Sequence, residues 1–266
     1  MTSAFTASHR GGSGSPLVCL HGFTDTSRRL DLVLPALERR HDVFAPTLPG
    51  HAGGPPLPAG AGQTAVVDTL ERLLDEAGIA TAHFAGNSLG GYLALRLAER
   101  GRAESVVALA PGGGWAGGDP TPDDLDAHFT TMQELVTAAA PQAEAILATA
   151  AGRRRATQFI VESFEHIPAE LLAHQLRGVA ACAPVGPLLE AARSEGWSLD
   201  AGRIDCPVRI VWGTEDKILP WPSAAVRYRD ELLPHADWVV LDDVGHCPQL
   251  DVPLETAELI LGFTTR

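Results

Sequence analysis

GNSLG at residues 86–90 is the stretch that decides the predicted fold of this chain. It follows an apolar run at 81–85 and precedes a run of helical character. A serine between two glycines at a turn from strand to helix is typical of a nucleophile elbow. Side chains at Gly86 and Gly90 would collide with the neighbouring strand and helix. We therefore predict that Ser88 is a nucleophile; the alternative is a glycine-rich turn without chemistry.

Strand-like and helix-like runs alternate on both sides of this turn. That alternation favours a mainly parallel central sheet with helices on both faces, an α/β fold. Since the carboxyl ends of parallel strands meet at one edge, we expect the functional site in the loops that follow the strands. The predicted strands occupy residues 16–20, 42–45, 81–85, 105–110, 208–212 and 238–241, and two predicted helices of the core occupy 63–77 and 253–263.

The alternation stops between residues 115 and 202, where the sequence is helical in character throughout. Predicted helices lie at 125–139, 143–151, 156–164, 169–181 and 187–195. A segment of this length exceeds a single crossover connection. We therefore predict an inserted all-helical cap at 115–202, between core segments at 1–114 and 203–266; the alternative is that these helices cover the faces of the sheet.

Composition limits the classes of partner. The chain has 266 residues, 45% of them hydrophobic, and a net charge of −13. Nucleic acids and anionic membranes both attract basic surfaces, so we predict neither as a partner. The compact basic run at 153–155 is interpreted as a solvated helix end. Because residues 1–14 contain no apolar signal segment and no apolar run of membrane-spanning length occurs, we expect a cytoplasmic protein.

The four cysteines are Cys19, Cys182, Cys206 and Cys247. None of them has the spacing of a metal site, so we predict no metal and no cofactor. Cys19 lies in an apolar run and is interpreted as a core residue. Cys247 follows a candidate catalytic histidine, and a reactive thiol there is a minor alternative.

A serine needs a base and a group that orients the base. His246 is the candidate base because it follows the last predicted strand and precedes the final helix. Asp216, in the loop after the strand at 208–212, is the candidate acid, and the adjacent Glu215 is its competitor. The end of the preceding strand, at 109–111, offers no carboxylate, which favours Asp216.

Two further histidines lie near the predicted site. We expect His21 and His51 to orient loops by hydrogen bonds rather than to act as the base. The oxyanion of an acyl-transfer intermediate needs two backbone N–H donors, which we predict to be those of Phe23 and Leu89. Gly22 would let the first of these loops approach closely, and the Phe23 ring would line the substrate pocket or pack beneath the cap.

Five stretches together resemble the α/β-hydrolase superfamily, in its capped esterase and lactonase-like branch. They are LVCLHGF (17–23), PTLPGHAG (46–53), HFAGNSLGGYLAL (83–95), VRIVWGTEDKILP (208–220) and VVLDDVGHCPQLDVP (239–253). The resemblance implies an α/β-hydrolase fold with Ser88 as nucleophile, Asp216 as acid, His246 as base, and Phe23 and Leu89 as oxyanion donors. It also places the helical insertion at the position of the family's cap.

The resemblance narrows the chemistry without naming a substrate. Haloalkane dehalogenase and epoxide hydrolase branches carry aspartate where this chain has Ser88. The loop at 21–24 lacks the triple-glycine form of many lipases, which points toward small, soluble acyl substrates. We predict a serine hydrolase of a carboxylic ester, lactone or thioester. Alternatives are a C–C bond hydrolase or lyase, because the elbow is similar to that of hydrolases of ring-cleavage products, and, less favoured, a ligand receptor of the same fold.

The elbow makes one direct prediction. A small organophosphonate should label Ser88 and no other serine, because only this hydroxyl would be exposed beside a base and an oxyanion hole. Peptide mapping by mass spectrometry locates the adduct, and Ser88→Ala is the control that should remain unlabelled. An adduct on another serine, or none, would contradict the assignment.

Overall fold

The computed structural model describes residues 5–58, 60–183, 189–190 and 193–265. Its centre is a seven-stranded sheet in the order β1-β3-β2-β4-β5-β6-β7, parallel except for β1, which runs antiparallel to β3. The strands are β1 Ser8–Gly12, β2 Ser15–Leu20, β3 His41–Pro46, β4 Ala82–Asn87, β5 Ala103–Leu109, β6 Val208–Gly213 and β7 Asp237–Leu241. The predicted α/β class is therefore confirmed.

Helices cover both faces of this sheet. The bounds of the helices are α1 Leu34–Leu37, α2 Gln63–Glu76, α3 Leu89–Glu99, α4 Thr121–Ala139, α5 Ala143–Leu147, α6 Ala150–Thr157, α7 Ala169–Ala181, α8 Pro248–Asp251 and α9 Pro253–Thr264. Helices α2 and α3 cover one face of the sheet, and α1 and α9 cover the other. Strand β2 shows how the two layers arise from the sequence. Its side chains alternate between faces, so Val18 and Leu20 pack in the core layer that holds α2 and α3, whereas Leu17 and Cys19 pack in the layer that holds α1 and α9. Cys19 is thus a core residue, as predicted.

Strand β1 was absent from the sequence prediction. It reads SHRGG, is exposed over most of its length, and pairs with β3 from Ser8 against Pro46 to Gly12 against Asp42. This edge strand buries few side chains and is held by backbone pairing. Its sequence therefore shows no apolar alternation from which a strand could be predicted.

Helices and turns make up the described residues between β5 and β6, where α4 to α7 lie. The predicted helix at 156–164 is wrong: α6 ends at Thr157 and turns follow. The backbone N–H groups of Glu162 and Ser163 donate to the Asp251 carboxylate at 2.9 and 2.7 Å, so a tertiary contact replaces helical hydrogen bonds. The predicted helix at 187–195 lies partly outside the described residues.

Among the helices in the described ranges, none is both long enough and apolar enough to cross a bilayer.

The turn between β4 and α3 carries the strongest backbone constraint. Ser88 has φ 56° and ψ −116°, a conformation that costs a non-glycine residue about 1–3 kcal/mol. A Cβ on Gly86 would overlap the backbone at Gly90, and a Cβ on Gly90 would overlap the carbonyl oxygen of Leu20. The predicted need for glycine at both positions is therefore confirmed.

This geometry makes a prediction about stability. Gly90→Ala should lower the free energy of unfolding by about 2–4 kcal/mol, because the methyl group meets strand backbone that cannot move aside. Gly262→Ala is the matched control: a Cβ there meets open space in α9, and helix propensity predicts a gain of about 0.5 kcal/mol. Urea unfolding measures both. A Gly90→Ala variant as stable as wild type would show that the turn relaxes.

Candidate active site

The parallel strands bring the predicted site residues to one edge of the sheet. Ser88 directly follows β4, Asp216 lies in the loop after β6, and His246 lies in the loop after β7. Phe23 lies in the loop after β2. All four lie beyond the carboxyl ends of their strands, the edge where open α/β sheets build their sites.

His246 and Asp216 form a buried, directed pair. Nδ1 of His246 lies 2.7 Å from Oδ2 of Asp216, and both side chains are almost fully buried. The other carboxylate oxygen accepts backbone N–H groups from Ile218 at 2.9 Å and Leu219 at 2.7 Å. These two bonds fix the carboxylate, which in turn fixes the ring. Glu215, the competing acid, is exposed.

Ser88 and His246 line one common cavity. Ser88 is 8% exposed, and its backbone is held on both sides: its N–H donates to the Leu109 carbonyl at 2.9 Å and its carbonyl accepts from Gly112 N–H at 3.1 Å. Neither the Phe23 nor the Leu89 N–H donates to another group within the described part of the chain. Two uncommitted donors beside the serine are what an oxyanion site requires.

His21 and His51 are loop-orienting residues, as predicted. Nε2 of His21 accepts the Leu48 N–H at 2.8 Å while Nδ1 faces the Gly22 carbonyl at 2.8 Å. Nδ1 of His51 faces the Pro49 carbonyl at 3.0 Å. Burial lowers the pKa of each ring to about 3, so both are neutral.

Gly22 is a correction to the sequence interpretation. A Cβ at this position would lie 3.6 Å from the Asn87 side chain and from Cβ of Ser88, which is ordinary van der Waals contact. The close approach of this loop to the elbow therefore does not by itself require glycine.

Asn87 was not singled out by the sequence. Its side chain is buried at the end of β4, and Nδ2 donates to the carbonyls of Leu109 at 3.1 Å and of His246 at 2.9 Å. Its Oδ1 accepts from Nε2 of Gln249 at 3.0 Å. One amide thus ties the elbow to the loop that carries the histidine. Its place beside the serine was the only signal in the sequence.

Asp251 is a second residue that the sequence did not reveal. Its buried carboxylate accepts the N–H of Gly245 at 2.7 Å, in the histidine loop, as well as those of Glu162 and Ser163. It therefore connects the helical insertion to the loop that positions His246. The stretch at 239–253 contains Asp251 but does not reveal its role, because two of its three backbone partners, Glu162 and Ser163, are 89 and 88 positions away in sequence.

The thiol of Cys247 is not set up as a nucleophile. Burial raises its pKa to about 12, and its Sγ lies 3.4 Å from Oδ1 of Asn87. Across the described ranges, no group of three or more His, Cys, Asp and Glu side chains is arranged to hold a metal ion.

Two cavities meet at Ser88. The first is apolar and is lined by aromatic side chains that include Trp115 and Trp197, together with Leu89. The second contains the polar groups His246, Gln175 and the buried Asp25–Arg29 ion pair. Phe23 lines both, and its ring also packs edge-on against Phe129 of α4 at 5.0 Å. The ring therefore lines the cavities beside Ser88 and packs against the insertion at the same time.

The chain matches the model of the alpha/beta hydrolase family over residues 17–259, and it belongs to that family. It is 32% identical over 199 residues to epoxide hydrolase EphH of Mycobacterium tuberculosis, covering 74% of this chain and 92% of that protein. It is 29% identical to a pimeloyl-[acyl-carrier protein] methyl ester esterase of Aromatoleum aromaticum, covering 92% of this chain and 96% of that one.

A solved structure agrees on the fold. The 2-hydroxy-6-oxo-6-phenylhexa-2,4-dienoate hydrolase of a Rhodococcus strain superposes with a TM-score of 0.74 at 20% identity, covering 97% of this chain and 94% of that one. At this identity the likeness establishes the fold alone. The family and its named relatives make the chain an enzyme of the hydrolase class.

The buried histidines make a prediction about pH. Folding lowers the pKa of His21 from 6.5 to about 3. The contribution of this neutral ring to the free energy of unfolding is therefore fully present above pH 6.5 and is lost as the pH falls toward 3. Each such histidine contributes a slope of about 1.4 kcal/mol per pH unit in that window. His21→Gln should flatten the slope between pH 6 and 4 by about this amount. Urea unfolding at several pH values measures it.

The control for this experiment is His235→Gln, at an exposed position. Its slope should equal that of the wild type. An unchanged slope in His21→Gln would mean that the ring is not kept neutral by the fold.

Proposed function

We propose that this protein is a serine hydrolase that cleaves a carboxylic ester, lactone or thioester through an acyl-serine intermediate. The observation that carries the proposal is the buried His246–Asp216 bond of 2.7 Å in a cavity shared with the strained Ser88. A base oriented by a fixed carboxylate, next to a serine held out of a tight turn, can activate that serine.

The steps follow from the positions of these groups. Oγ of Ser88 attacks the substrate carbonyl carbon while Nε2 of His246 takes its proton. The N–H groups of Phe23 and Leu89 stabilise the oxyanion. The imidazolium then protonates the leaving group, and the acyl-serine forms. Water, activated by His246, releases the acid, and Asp216 holds the tautomer and stabilises the cation throughout.

The identity of residue 88 argues against epoxide opening, the reaction named for the relative EphH. A carboxylate nucleophile that opens an epoxide forms an ester, which water can hydrolyse. A serine that did so would form an ether, which the same machinery cannot cleave. Acyl transfer is the chemistry in which a serine nucleophile is regenerated. The methyl ester esterase relative supports the same choice.

We further propose that residues 115–202 act as a cap over this site. Phe129 of the insertion lines both cavities beside Ser88, and Trp115 and Trp197 line the first. The nucleophile, acid, base and oxyanion donors all lie outside the insertion. It would therefore select substrates, while the core performs the reaction.

The choice of carboxylate can be tested directly. Asp216→Asn should lower kcat on an activated ester by about 10⁴, because an amide holds the imidazole in the wrong tautomer. Glu215→Gln is the matched control on the adjacent, exposed residue and should cost less than about tenfold. Steady-state kinetics on p-nitrophenyl esters measures both, with circular dichroism to confirm the fold. Reversed losses would mean that Glu215 orients the histidine.

A further inference from the structure

The two cavities at Ser88 differ in one respect that matters for the reaction. His246 lines the second cavity and not the first. In acyl transfer the histidine must reach the leaving-group atom to protonate it. If the proposed function holds, the leaving group therefore occupies the second cavity, and the acyl group occupies the first.

The lining of the first cavity suits an apolar group. Its walls are aromatic and aliphatic, among them Trp115, Leu125, Phe129 and Trp197. Gln63, the first residue of α2, is an exception among them. His51 is a second polar side chain in this lining. Its Nδ1 faces the Pro49 carbonyl, its Nε2 is buried without a hydrogen-bond partner among the described residues, and its ring packs edge-on against the rings of His21 and Phe23.

The Gln63 amide is only half satisfied. The residue is 4% exposed, and its Oε1 lies 2.9 Å from the Tyr92 hydroxyl. Its Nε2 is buried and has no hydrogen-bond partner among the residues that the structure describes. A buried polar atom without a partner is unfavourable, so a ligand that satisfies it gains binding energy.

The neighbours of Tyr92 show that exchanging the oxygen and nitrogen of the Gln63 amide still leaves one of these atoms without a partner. The hydroxyl accepts from Nη1 of Arg96 at 2.8 Å and lies 2.8 Å from the Ser198 carbonyl, which can only accept. Its single proton cannot fully serve both Ser198 and Oε1 of Gln63. In either orientation one amide atom contacts Tyr92, and the other is left without a partner. A hydroxyl group satisfies either atom, since it both donates and accepts.

We infer that Gln63 is a specificity-determining residue, and that the acyl group of the substrate is apolar with one hydroxyl that hydrogen-bonds to the Gln63 amide. The inference deepens the proposed function and rests on it. It assigns the substrate class as esters of hydroxylated acids, with the hydroxyl on the acyl side.

The leaving-group side has a different character. The second cavity shares several lining residues, including His128 and Met132, with an apolar groove on the outside of the insertion. The exposed side chains of Leu135 and Phe159 lie in this groove. The second cavity and this groove are therefore adjacent and are bordered by the same side chains of the insertion.

Gln175 provides a matched comparison. It is also 4% exposed, and its Nε2 also lacks a partner within the described ranges, but it lines the second cavity. Gln63→Leu and Gln175→Leu thus make the same chemical change on opposite sides of the nucleophile. Each variant should affect only the part of the substrate that it faces.

The experiment compares kcat/KM within pairs of methyl esters that differ by one hydroxyl. The acyl pairs are butanoate with 3-hydroxybutanoate, and phenylacetate with 3- and 4-hydroxyphenylacetate. We expect at least one hydroxylated ester to be preferred about tenfold by the wild type, because its hydroxyl pairs a buried polar group. Gln63→Leu should abolish that preference, and Gln175→Leu should retain it.

The possible outcomes distinguish a failure of the Gln63 assignment from a failure of the proposed function. Loss of the preference in Gln175→Leu but not in Gln63→Leu would reverse the assignment of the cavities. No preference in the wild type, or one unchanged by Gln63→Leu, would overturn the role of Gln63 while ester turnover and phosphonate labelling of Ser88 still stand. An enzyme that neither hydrolyses any ester nor labels at Ser88 would instead refute the proposed function. Near-ultraviolet circular dichroism of each variant checks that the aromatic packing survives, including that of Tyr92 against Trp197.

Discussion

The backbone of Ser88 is the constraint on which the rest of the structure depends. Its positive φ of 56° is unfavourable, and it persists because the surroundings leave the turn no room to relax. Strand β4 lies between β2 and β5 in the middle of the sheet, and α3 packs directly behind it. Glycines at 86 and 90 are the residues that let strand and helix meet this closely. The packing of the whole core thus offsets the local strain.

The elbow also organises the loops around it. The side-chain amide of Asn87 donates a buried hydrogen bond of 2.9 Å to the backbone carbonyl oxygen of His246, 159 positions away in sequence. Asp251 holds the same loop at Gly245 and binds backbone of the insertion with the same carboxylate. Breaking any of these buried hydrogen bonds without replacement is costly. They connect the elbow, the histidine loop and the insertion.

The arrangement separates two tasks in our proposal. The sheet edge holds the reacting groups rigidly, as chemistry at a fixed distance requires. The insertion contributes side chains such as Phe129 and Gln175 to the cavities that surround Ser88. Gln63 and His51 in the first cavity, and Gln175 and Arg29 in the second, each carry a buried polar atom without a partner among the described residues, and in our proposal such atoms are where a substrate can be recognised.

The sequence by itself determined the elbow, six of the seven strands and the chain order of the candidate nucleophile, acid and base, because each follows from local residue spacing and hydrophobic period. The tertiary structure alone decided the rest. Edge strand β1 has no apolar alternation, and the turns after Thr157 replace a predicted helix because Asp251 captures their N–H groups. Asn87, Asp251 and Gln63 acquire their roles from partners distant in the chain, and no periodicity records which buried atom is left unpaired.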